Sequence, residues 1–179
     1  GGCSKDKGKA DMAIKAAETA ITAARAEAEK YVPDEVKSLE SDLAAAKENF
    51  SKKEYAEALS KAQSLADRAK NLDTIIAAKK EELTKTWTDL EQGLQKMMGA
   101  VQSRVDILSK SKKLPANLTA EKFAEVTAGL ATAKEQFGKA SESFKAGNLA
   151  DAVSVANSVK GDIANVMVLL GMPVPEGAK

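Results

Sequence analysis

Apolar residues recur every three or four positions along almost the whole chain, and proline and glycine interrupt that rhythm only sparsely. This spacing gathers side chains on one face of an α-helix, and no segment has the alternate-residue pattern of a half-buried strand. The predicted fold is all-α: an elongated helical bundle of about five helices, as two three-helix halves sharing one long central helix. The first helix covers roughly residues 8–31, with Ile14, Ala17, Ile21, Ala24, Ala28 and Tyr31 on its stripe. Pro33 suits the first turn of the second helix, where its missing N–H is not needed. Asp34 and Glu35 there complement the positive end of the helix dipole. Val36, Leu39, Leu43, Ala46 and Phe50 form the inner face of this helix, and Ser51-Lys52-Lys53 makes a turn.

The third segment, from about Glu54 to Lys110, contains no proline. As one helix it would reach roughly 85 Å at about 1.5 Å per residue. Lys79 and Lys80 interrupt its stripe and Asp73-Thr74 offers a cap for a new start, so the competing expectation is a break near residue 73. Lys112-Lys113-Leu114-Pro115 ends the helix, and Thr119 is a natural N-cap for the fourth. Phe123, Val126, Leu130, Phe137 and Phe144 form the fourth stripe. Gly147-Asn148 reverses the chain into a fifth helix carrying Leu149, Ala152, Ala156, Val159, Ile163, Val166 and Leu170. The expected organisation is a flexible tether over 1–9, an N-terminal hairpin region over 10–72, a C-terminal hairpin region over 73–171 and an extended tail over 172–179.

Phe50 and Phe144 lie 94 positions apart in matching contexts. At that shift Ala46, Ala56, Ala58, Ser60, Ala62 and Ser64 meet Ala140, Ala150, Ala152, Ser154, Ala156 and Ser158 as identities. The expectation is two related helix-turn-helix hairpins. An aromatic residue, a four-residue turn and an Ala-x-Ala entry to the next helix resemble tetratricopeptide-like hairpins, although Lys53 stands where such repeats often have glycine.

Composition narrows the chemistry. The 179 residues are 44% hydrophobic, 30% charged and only 4% aromatic, and alanine supplies much of the apolar count. Lys+Arg 27 against Asp+Glu 26 leaves a net charge of +1, without the basic excess expected of a nucleic-acid binder. Histidine is absent, which removes imidazole-based metal sites and a Ser-His-Asp triad. Carboxylate pairs such as Glu81-Glu82 and Asp89/Glu91 stand among lysines at the spacing of solvated helix faces. No enzyme activity, cofactor or metal is expected. Trp87 reads as core, with ligand stacking as the alternative. Met97 and Met98 read as core or as an adaptable contact patch. With Tyr55, these residues are the candidate partner-binding positions.

Cys3 is the single cysteine, and it follows Gly1-Gly2 and precedes Ser4. That order resembles the end of a bacterial lipobox, with Cys3 as the lipidation site and the export segment lying before it. An exposed thiol is the alternative reading. Together with Tyr31-Val32-Pro33 and the hairpin over 34–70, it resembles a family of uncharacterised bacterial envelope lipoproteins built from Ala-rich, tetratricopeptide-like hairpins. The resemblance implies a non-catalytic, lipid-anchored protein on the periplasmic side of the envelope, at the outer membrane where there are two membranes. It would serve as a helical spacer or a scaffold for an envelope protein partner. The competing expectation is a carrier or holdase that opens its amphipathic helices around apolar ligands or unfolded chains.

Overall fold

The computed structural model describes residues 4–177 and places five helices in them: α1 (Ser4–Tyr31), α2 (Pro33–Ser51), α3 (Tyr55–Lys110), α4 (Ala120–Lys145) and α5 (Leu149–Leu169). No strand occurs among the described residues. The chain divides into two compact units, Gly1–Glu81 and Glu82–Lys179. The first holds α1, α2 and the N-terminal part of α3. The second holds the rest of α3 with α4 and α5. The division therefore falls after Glu81 rather than after Leu72.

α3 runs through residues 73–80 without a break. Ala77-Ala78-Lys79-Lys80-Glu81-Glu82 are all good helix formers, and neither glycine nor proline offers a stop. The lysines that interrupt the stripe mark the end of one apolar seam, not the end of the helix. Residues 4–9 likewise depart from expectation, since they form the first turns of α1 and not a flexible tether. Lysine has high helix propensity, and a helix nucleated further on extends backwards through such residues at little cost.

In the first unit α1 and α2 are antiparallel, tied by Arg25–Glu40 at 2.7 Å and Glu18–Lys47 at 2.9 Å. The junction between them is Val32 alone, with Pro33 in the first turn of α2. α2 and the start of α3 form the next antiparallel pair, and Lys80 of α3 reaches Glu27 of α1 and lies over the Tyr31 ring. The seams between these helices are narrow because alanine lines them: Ala10, Ala17, Ala46, Ala58 and Ala62 have no exposed surface.

The second unit has a bulkier core drawn from α3, α4 and α5. Thr119 caps α4, its hydroxyl accepting the Lys122 backbone N–H at 3.1 Å. α4 and α5 approach so closely that a Cβ on Gly129 would lie 2.8 Å from a Val166 methyl. After α5 the chain is irregular through Pro175, yet Met172 and Val174 fold back against the core. Leu114 and Leu118 of the α3–α4 loop add to the same cluster.

Candidate functional site

The four residues singled out for partner binding are distributed over both cores. Tyr55 opens α3 in the first unit, 8% exposed, with its ring edge-on to Phe50 at 5.2 Å. Trp87 is 3% exposed and stacks nearly parallel to both Phe137 (6.0 Å) and Phe144 (5.0 Å). Those phenylalanines are two turns apart on α4, so one helix face presents both to the indole. Met97 and Met98, at 4% and 8% exposed, pack in the same cluster. All four residues hold helices together and present almost no surface. Cys3 lies outside the described residues.

Polar chemistry in the described residues is confined to the surface. Among the described residues no buried residue is polar or charged, no buried side-chain polar atom lacks a hydrogen bond, and no group of three metal-ligating residues forms. Burying an unpaired polar group is costly, and a wholly apolar seam avoids that cost. The Glu48 carboxylate, 3.1 Å away and one turn earlier, holds the Lys52 ammonium above the usual lysine range. Lys52 is on the open surface at the end of α2, where such a pair tunes local charge and little else.

An open cleft of about 380 Å³ lies between α2 and α3, lined by Asp42, Ala45, Ser60, Lys61, Ser64, Leu65 and Arg68. It exists because small residues occupy the positions where the two helices face outward. Leu65 forms its floor, and Ser60 and Ser64 stand one turn apart along a wall. The Arg68 guanidinium spans the helices, donating to the Asp42 carboxylate at 2.6 Å and to the Ser38 hydroxyl at 2.9 Å. Lys61 donates to the Asn49 amide oxygen at 2.6 Å. This fork is planar and preorganised, and its partners fix it across the groove.

Sequence reasoning missed the cleft. Its charged residues look like ordinary solvated helix faces until the antiparallel register of α2 on α3 brings positions 42 and 68 together. A smaller concavity of about 220 Å³ in the second unit is lined by Thr86, Asp89, Leu90, Gly93 and Leu94 of α3 and by Lys160 of α5. Both can accept a polar side chain from a partner surface.

No helix of the described residues is long and apolar enough to cross a membrane. Comparison with protein-family models, with curated proteins and with solved structures gives no match.

Proposed function

We propose that this chain is a non-catalytic helical scaffold or spacer of the bacterial cell envelope, held to a membrane by lipid on Cys3. The observation that carries the reading is the make-up of the two cores. Every buried residue described is hydrophobic, so the interior supplies stiffness and leaves contact with other molecules to the surface. The anchor rests on the order Gly1-Gly2-Cys3-Ser4. The described helix α1 begins at Ser4, the residue that follows Cys3 in the sequence. One chain of about fourteen carbons binds a bilayer only marginally, so the anchor would carry more than one.

The α2–α3 cleft is the favoured surface for an envelope protein partner, because Arg68, Lys61 and the two serines present fixed polar groups over an apolar floor. That step is an argument from fold and surface chemistry. Intact-mass measurement of the protein isolated from its native membranes tests the anchor. The expected mass exceeds that of the polypeptide beginning at Cys3 by the weight of a diacylglyceryl group or more. An unmodified Cys3 would remove the anchor, and with it the envelope placement.

A further inference from the structure

The two hairpins agree in geometry at the same shift that relates them in sequence. At the end of α2 the backbone N–H groups of Lys52, Lys53 and Glu54 donate to the carbonyls of Glu48, Phe50 and Asn49. At the end of α4 those of Ala146, Gly147 and Asn148 donate to Glu142, Phe144 and Ser143, each 94 positions on. Both are the helix stop in which a left-handed residue turns the chain back onto the last turn. That residue is Lys53 (φ 63°) in one and Gly147 (φ 85°) in the other. A left-handed conformation strains any residue with a Cβ, so a lysine that adopts it reflects the demand of the surrounding turn.

The correspondence extends beyond the turn. α2 ends at Ser51 and α4 at Lys145, and the following helices start at Tyr55 and Leu149. Ala46, Ala58 and Ala62 are wholly buried, as are Ala140, Ala152 and Ala156. The last buried residue of the first unit is Ile76, and its counterpart Leu170, which caps α5, is the last of the second. One step further the copies differ. Gly171 (φ 70°) stops α5, whereas Ala77 stands in its place in α3 and the helix continues.

What continues resembles α1. A shift of 77 sets Ala10, Ala17, Ile21, Ala28 and Tyr31 on Trp87, Leu94, Met98, Val105 and Leu108, all buried, while Ile14 falls on half-buried Glu91. The change of shift has a local origin. α3 runs two residues further than α1, residues 111–119 replace the single Val32, and α4 starts seven residues earlier than α2 relative to the turn.

We infer that the chain is one three-helix module present twice in tandem, the third helix of the first copy having become continuous with the first helix of the second inside α3. Each copy then carries a complete core and is its own cooperative unit. The inference stands whether or not Cys3 is acylated.

Residue-resolved native-state amide exchange on the full chain tests it, comparing the wild type with Leu65→Ala and Val159→Ala, which are equivalent positions in the two copies. Each substitution should speed exchange at least about tenfold throughout its own copy and less than about twofold in the other. Acceleration of both copies together by either substitution would overturn the proposal. If Leu65→Ala unfolds the first copy outright, retained protection in the second supports the proposal and its loss contradicts it. The turn provides a second arm: the combined change S51K, K52A, K53G and E54N installs the second turn in the first copy. Protection there should be kept or raised, and collapse of that copy would show that the turns are not equivalent.

Discussion

The two units solve one packing problem with different materials. Of the buried residues described, seven of sixteen in the first unit are alanine, against five of twenty-two in the second. Each alanine in place of leucine forgoes roughly 2 kcal/mol of apolar burial. The first unit offsets part of this with close helix approach and with cross-helix pairs such as Arg25–Glu40, Glu18–Lys47 and the Arg68 fork. The second relies on the Trp87 stack and on aliphatic bulk. Small seams therefore depend on what their rims contribute, whereas a large core depends on its contents.

The largest expected effect tests that contrast at its centre. Trp87→Ala removes the ring between two phenylalanines and should cost the second unit about 3–5 kcal/mol. Circular dichroism during denaturation would report the loss, and amide exchange would place it in residues 82–177. Next comes a pair of glycines on the second unit's helices. Gly129→Ala forces a methyl against Val166 and should destabilise by about 1–3 kcal/mol. Gly93→Ala meets nothing within 4 Å and should stabilise by about 1 kcal/mol through helix propensity. Opposite signs in thermal midpoint are the expected result, and equal signs would mean that the seam is looser than the α4–α5 approach implies.

Lys53→Gly relieves the left-handed strain and should stabilise the first unit by about 1 kcal/mol, with Gly147 as the precedent within the chain. The smallest effect is ionic. Raising salt to 1 M shortens the screening length to about 3 Å, and exposed pairs each contribute only about 0.2–1 kcal/mol. The thermal midpoint of the first unit should fall with salt more than that of the second. Arg68→Ala should remove part of the difference, leaving the share of the Arg25–Glu40 and Glu18–Lys47 pairs.

Most of the fold was legible because helix periodicity, proline and capping residues act locally. Pro33, Thr119 and Gly147 stand where their backbone chemistry predicts. The start of α1 was not legible, since Lys5-Asp6-Lys7-Gly8-Lys9 has the composition of a tether until a neighbouring helix nucleates it. The left-handed turn at Lys53 was legible only through the repeat, which sets it opposite Gly147, because a lysine by itself gives no signal for such a turn. Tyr55, Trp87, Met97 and Met98 were ambiguous for a different reason: residues that suit a contact surface also suit a core, and only packing separates the two. The Arg68 fork depends on the register between helices, which no single helix encodes.

Cores lined only by apolar side chains, with no polar group buried among the described residues, leave the molecule to meet its surroundings through its surface. A fluorescent dye that reports accessible apolar surface, titrated into the folded protein at neutral pH, tests this most directly. Weak, unsaturable enhancement is the predicted result. Strong, saturable binding by protein that keeps its full helical signal would show that the cores are open, and would favour a carrier whose helices part around apolar cargo.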